Sequence, residues 1–239
     1  LIDKTNEALT KSPNLLDIPT LKVRFEPRIQ PRELNAFRGA MAAKVGLEHE
    51  WFHNHDNDEK GNRRYHYRYP LVQYRLMGGC PGLFFLGKGA DEAMRLFAQP
   101  DWSVTFTRQN KVAHLSEMKR AIQQIGLSQK MQQYRLRSWT AFNQDNYKRY
   151  QQTPGLIGRL ELMERALAGQ ILGLATGLGY QFPERFSVAI TEWEGASTVT
   201  FSKNKMLAFN VSFQTDAVLP LQAGLGRGAG RGFGEIEIG

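Results

Sequence analysis

The feature that most constrains this chain is its apolar period, which switches repeatedly between two and about 3.6 residues from Leu21 to Thr107. Leu21, Val23 and Phe25 alternate as a strand. Pro31 opens a helix with Leu34, Phe37, Met41 and Val45 at helical spacing, and Gly46 marks its end. A polar, turn-rich stretch from Asp56 to Asn62 precedes a second strand, Tyr65 to Met77, which Pro70 breaks or starts. Gly78-Gly79 turns the chain back into a short apolar strand, Leu83 to Leu86. Ala90 to Ala98 is a short helix, and Trp102, Val104 and Phe106 alternate in a further strand. The order β-α-β-β-α-β is that of a ferredoxin-like unit. Residues 109–127 read as a polar, partly helical connection.

A second set follows from Lys130. Tyr134 to Phe142 reads as a strand, and Pro154 opens an apolar helix carrying Leu156, Leu160, Met163, Leu167, Ile171 and Leu174. Arg185 to Trp193, Thr198 to Phe201 and Met206 to Phe213 read as three strands, and Glu235 to Ile238 as a terminal one. No helix is expected before that last strand. The fold class is therefore α+β, two ferredoxin-like domains in tandem with the second incomplete. Residues 1–127 form the first and residues 128–239, with a C-terminal glycine-rich loop, the second.

Composition narrows the chemistry. Lys+Arg 31 against Asp+Glu 23 gives +8, which favours a polyanionic partner. Cys80 is the single cysteine, so neither an internal disulfide nor a cysteine-based zinc site is available. Leu1 to Leu16 mixes Asp3, Lys4, Glu7 and Lys11 among apolar positions, unlike a signal peptide. The longest apolar run, Ala166 to Tyr180, contains Gln170 and falls short of the roughly 20 residues a bilayer span needs. A cytoplasmic protein with no membrane partner is expected.

His53 and His55 stand one residue apart, after the first helix. In an extended segment alternate residues share a face, so both rings could approach one phosphate, and imidazole exchanges protons near neutral pH. Two other readings stay open: idle loop histidines, or a metal site drawn from His49, His53, His55, His66, Glu48, Glu50, Asp56 and Asp58. No zinc spacing is matched. Next comes a basic-aromatic run, Lys60, Arg63, Arg64, Tyr65, Tyr67, Arg68, Tyr69, Tyr74 and Arg75, free of acidic residues. Such a run suits phosphates and unstacked bases. A strand with tyrosines packed inward and arginines solvated is the other reading, and both can hold at once. A second basic cluster, Lys130, Arg135, Arg137, Lys148 and Arg149 with Trp139, Tyr147 and Tyr150, could extend the track.

At the end of the chain Gly224, Gly226, Gly228, Gly230, Gly232 and Gly234 alternate, with Arg227 and Arg231 among them. A dinucleotide fingerprint needs a helix after these glycines, and here a strand follows. Apolar alternation resumes at Phe233, Ile236 and Ile238, so the loop is anchored on both sides. An anchored glycine loop lets backbone N–H groups of residues such as Gly226, Gly228 and Gly230 approach phosphates.

Gly224-Leu225-Gly226 and Arg231-Gly232-Phe233-Gly234, closing a ferredoxin-like pair, resemble the glycine-rich loop of the RAMP superfamily of CRISPR-associated proteins. Phe37-Arg38-Gly39-Ala40, Phe52-His53-Asn54-His55 and Tyr67-Arg68-Tyr69-Pro70-Leu71-Val72-Gln73-Tyr74 resemble its repeat-processing endoribonucleases, in the branch with a His-x-His active site. The resemblance implies metal-independent cleavage of precursor CRISPR RNA within repeats, with no cofactor. It implies His53 and His55 as the catalytic pair, with His55 as base, His53 as acid or orienting partner, and the roles interchangeable. The branch also uses a tyrosine; Asn62 stands near its expected place, and Tyr65 or Tyr67 is the substitute. Lys60 is the counterpart of the lysine that other branches use on the phosphorane. Arg63, Arg64, Arg68, Arg227 and Arg231 are expected to hold the repeat RNA. The implied partners are that RNA and a CRISPR effector complex, with the protein a monomer or homodimer. The competing expectations are a non-catalytic RNA-binding RAMP subunit and a metal-dependent nuclease.

Overall fold

One strand, β7 (Lys111–Trp139), runs through both halves of the protein and is the axis of its main sheet. The computed structural model describes residues 14–46, 52, 55–57, 63–65, 68–97, 102–107, 110–201 and 204–239, with backbone alone at 55–57, 63–65, 95, 201 and 204. The N-terminal stretch of β7 pairs antiparallel with β1 (Leu15–Glu26), from Glu26↔His114 to Leu15↔Gly126. Its C-terminal stretch pairs with β9 (Asn204–Val218) on one edge and β10 (Glu235–Ile238) on the other. Outward from β1 lie β5 (Cys80–Leu86) and β4 (Val72–Met77), and outward from β9 lies β8 (Val188–Phe201). Every pairing is antiparallel. A separate ribbon, β2 (His55–Asn57) with β3 (Arg63–Tyr65), is inserted between α1 (Leu34–Val45) and β4.

From β1 to α2 (Lys88–Phe97) the order expected for the first unit holds apart from the added ribbon, and the strand read from Tyr65 to Met77 is β4 alone, beginning at Val72 after Pro70. The last strand of the unit differs. Trp102 to Thr107 supplies only β6 (Ser103–Phe106), which pairs with the first residues of β7. The strand lying against β1 is the stretch 114–126, within the part read from sequence as a partly helical connection. The physical reason is exposure: between Lys111 and Ile125 only Ala113 and Ile125 are buried, so no apolar period marks the strand. Backbone pairing to β1, not burial, makes it one.

In the second unit, Tyr134 to Trp139 is the end of β7 rather than a separate strand. The strands read at 185–193 and 198–201 are one, β8, kept in register with β9 across irregularities at Ile190/Glu192 and Trp193/Ala196. A helix absent from the sequence reading, α3 (Gln144–Gln152), starts where the Asn143 side chain accepts a hydrogen bond from the Asn146 N–H at 2.8 Å. It is polar nearly all round, with only Tyr150 buried, and so shows little apolar stripe. The long helix α4 (Leu156–Gly177) buries Met163, Leu167, Ile171 and Leu174, one face at helical spacing. No helix separates β9 from β10, as expected; the glycine-rich loop and a 3-10 turn, Ala229–Arg231, take that place.

The two tandem α+β units are joined by their cores. One core packs Phe37, Met41, Ala93 and Phe97 of the helices onto Val23, Phe25, Val72, Tyr74, Leu83 and Phe85. The other gathers Phe84, Leu86, Met77 and Ile18 from the opposite face of the same strands with Trp139, Phe209, Phe213 and the α4 stripe. β5 is thus buried on both faces, which its unbroken Leu83 to Leu86 run foreshadows. Among the described residues no helix is long and apolar enough to cross a membrane.

Candidate functional site

The segment with the histidines is tied down at both ends. Upstream, Phe52 is buried, its ring 5.7 Å from that of Phe85 in an edge-on contact. Downstream, the Tyr69 hydroxyl donates to the Gly224 carbonyl at 2.8 Å. Between them the β2–β3 register sets His55 opposite Tyr65, Asp56 opposite Arg64 and Asn57 opposite Arg63. The backbone therefore brings one expected histidine, one expected tyrosine and two expected RNA-binding arginines into a single short ribbon. His53, Lys60 and Tyr67 lie outside the described residues, as do His49, His66, Glu48, Glu50 and Asp58. Arg68, three residues after β3 in the chain, is half-buried.

Tyr69 is half-buried, in line with a tyrosine packed inward. Its hydroxyl also accepts a 2.8 Å hydrogen bond from the Gln73 amide, and Gln73 Oε1 accepts from the Gly224 N–H at 2.9 Å. Gly224 is thereby held through both backbone polar groups. Arg75, on the same face of β4, donates to Gln73 Oε1 at 2.6 Å and to the Gln222 carbonyl at 2.5 Å. It also lies 3.2 Å from the Glu235 carboxylate and 4.9 Å above the Phe84 ring. Arg75 is only 3% exposed, so it belongs to the seam between units and not to an open basic surface. Burial pushes the Tyr69 phenol well above its usual value, against the Gln73 hydrogen bond and the Arg75 charge. Burial likewise lowers the Arg75 value, and the Glu235 charge opposes it.

The glycine loop is a packed element. Gly226, at φ +87°, passes so close that a Cβ would meet the Thr140 carbonyl at 2.6 Å; at Gly234, φ +65°, it would meet the Leu225 carbonyl at 1.9 Å. Arg227 is clamped by the fully buried Thr140: its N–H donates to the Thr140 carbonyl at 3.0 Å, and its carbonyl accepts from Thr140 Oγ1. The Arg227 side chain is exposed on this fixed base. Arg231 is half-buried in the 3-10 turn, Gly228 precedes it with a left-handed conformation, and Gly230 faces Pro70.

The second basic cluster is divided between paired, buried and exposed residues. Arg137 pairs with Glu237 at 2.8 Å, and Arg135 pairs with Glu194. Trp139 and Tyr150 are core residues. Lys130, Lys148 and Arg149 are exposed. Sequence reasoning missed Gln73, Arg75 and Thr140 as parts of the site's frame. A signal existed for two of them: Gln73 and Arg75 interrupt one face of a strand whose other face, Val72 and Tyr74, is apolar.

Residues 16–124 match the Cas6b N-terminal domain family, and residues 126–238 the Cas6b C-terminal domain family. An uncharacterized protein of Methanocaldococcus jannaschii is 30% identical over 115 residues, 48% of this chain and 77% of that protein. A crystal structure of Cas6b superposes with a TM-score of 0.77 at 24% identity, covering 94% of this chain and 100% of that one. A CRISPR RNA processing endoribonuclease Cas6b superposes with a TM-score of 0.69 at 23% identity and the same coverage. Csf5, a type IV Cas6 crRNA endonuclease, follows with a TM-score of 0.56 at 12% identity, covering 94% of this chain and 100% of that one. Both domain families match in chain order around the shared strand β7, and the chain belongs to the Cas6b family.

Proposed function

We propose that the protein is a metal-independent endoribonuclease that cuts precursor CRISPR RNA within its repeats. The observation that carries this reading is the match of both Cas6b domains along the chain, with a solved relative named for that activity. The His53-Asn54-His55 segment between the Phe52 anchor and the β2–β3 ribbon supports it.

In the proposed reaction His55 removes the 2′-hydroxyl proton and the 2′-oxygen attacks the adjacent phosphorus. The bond from phosphorus to the 5′-oxygen breaks, and His53 donates a proton to that oxygen. The products are a 2′,3′-cyclic phosphate and a 5′-hydroxyl. Tyr65 or Tyr67, with Lys60, stabilises the charge on the phosphorane. Arg63, Arg64 and Arg68 contact the RNA on the ribbon side. Arg227, Arg231 and the loop backbone at Gly226, Gly228 and Gly230 contact it on the other. The working division is 1–127 for the domain with the histidines and 128–239 for the domain with the loop. The partner is the repeat RNA, bound by a monomer or homodimer, alone or within an effector complex.

The test incubates labelled cognate repeat RNA with the protein in EDTA, beside His53→Ala and His55→Ala variants. Cleavage in EDTA is expected, with each variant slower by about 10²–10⁴-fold. Cleavage only after metal is added would sink the mechanism, and full activity in both variants would remove these histidines from it. Retained binding with no cleavage under any condition would identify an RNA-binding subunit.

A further inference from the structure

The hydrogen bonds around Gly224 join the two ends of the candidate site. Tyr69 ends the run that begins in the β2–β3 ribbon, four residues after Tyr65. Gly224 begins the loop that carries Arg227. Between them is a closed circuit: the Gly224 N–H bonds Gln73 Oε1, the Gln73 amide bonds the Tyr69 hydroxyl, and that hydroxyl bonds the Gly224 carbonyl. Arg75 locks the circuit by holding Gln73 Oε1 and the neighbouring Gln222 carbonyl with one guanidinium. The ring of Tyr69 is wedged as well, since a Cβ at Gly177, the last residue of α4, would lie 2.5 Å from its Cβ.

Stability alone does not account for this arrangement. A buried arginine loses its hydration, and an apolar residue of similar size often serves a core as well or better. Arg75 Nε has no hydrogen-bond partner among the described residues, which adds to the cost of burial. What the planar guanidinium does that an apolar residue cannot is fix two acceptors in one geometry. One acceptor belongs to β4, which follows the ribbon, and the other to Gln222, two residues before the glycine-rich loop begins.

We propose that Tyr69, Gln73 and Arg75 form a latch that sets the position of the β2–β3 ribbon, and with it His55, relative to Arg227. They are positioning residues for RNA cleavage, a role that rests on the endoribonuclease reading above. In this role the latch acts by aligning the two surfaces and not on the reacting atoms. Tyr69→Phe removes one hydroxyl and leaves the wedged ring. Arg75→Met keeps the volume and removes the two-acceptor grip. Arg75→Lys keeps the charge facing Glu235 without the planar fork.

The full-length protein is assayed in single turnover at saturating protein, where binding no longer limits the rate. Tyr69→Phe and Arg75→Met are expected to lower the rate constant about tenfold to a hundredfold, the cost of a misplacement near 1 Å. The fraction of RNA cut at long times stays unchanged, and Arg75→Lys is intermediate. Combining Tyr69→Phe with Arg227→Ala should cost less than the sum of the two singly, because an unaligned arginine has little left to lose. Wild-type rate constants in both variants, or a loss confined to the reactive fraction, would overturn the latch. A second measurement does not depend on cleavage. In a Cys80→Ser background, nitroxide labels at Asn57 and Arg227 should give one narrow distance distribution that Arg75→Met broadens. An unchanged distribution overturns the latch; a broadened one in a protein that cuts no RNA keeps the latch and rejects the endoribonuclease reading.

Discussion

Gly234 and Gly169 differ in what a side chain there would meet. At Gly234 a Cβ would stand 1.9 Å from the Leu225 carbonyl, with φ at +65°, while Gly169, inside α4, has nothing within 4 Å. Gly234→Ala is expected to destabilise by about 2–4 kcal/mol, combining left-handed strain with a backbone clash. Gly169→Ala should stabilise by about 0.5–1 kcal/mol, since glycine in a helix interior carries only an entropic cost. Urea midpoints of the two variants check both signs, and a neutral Gly234→Ala would contradict the close packing of the loop. The alternation of six glycines was legible in the sequence as a loop held at both ends. Which of them answer to the protein's own backbone was not, because the Leu225 and Thr140 carbonyls come near only when the chain has folded back.

β4 is the element where the seam meets the core. Its one face places Tyr74 in the helix-covered core, and its other holds Gln73 and Arg75 against the glycine loop. The phenols of Tyr69 and Tyr74 are both raised above their ordinary value by burial. A raised phenol leaves folding stability whole below the unfolded value of about 10, and that stability is lost as pH rises beyond it. Unfolding midpoints in urea should therefore hold steady between pH 7 and 9 on this account and fall above about pH 10. Tyr69→Phe should flatten part of the fall; an undiminished slope in that variant would place the titration elsewhere. From sequence, β4 and β5 were visible through their apolar run and the Gly78-Gly79 turn. β7 was not, because most of its N-terminal stretch is exposed and its identity rests on pairing with β1.

At the scale of the whole molecule, the shared strand and shared core predict one unfolding event. Ile18, Met77, Phe84, Leu86 and Ile125 of the first unit lie in the same core as Trp139, Phe209 and the α4 stripe. Far-UV circular dichroism and tryptophan fluorescence should report coincident urea transitions. Two separated transitions would mean that the units are independent. A fragment ending at residue 127 should expose Phe84 and Leu86, each at most 2% exposed in the full chain, and aggregate or stay molten. The sequence by itself determined the order β1, α1, β4, β5, α2 in the first unit, the lack of a helix before the last strand of the second, the positive balance and the resemblance carried by the His-x-His and glycine-loop motifs. All of these are local, set by side-chain period and by residues near in the chain. Only the tertiary structure decided that β7 serves both units, that β5 is buried on both sides, and that Tyr69, Gln73 and Arg75 close on Gly224. Those contacts join residues as far as 155 positions apart, between Tyr69 and Gly224, and no local pattern records which distant backbone will supply a hydrogen-bond partner.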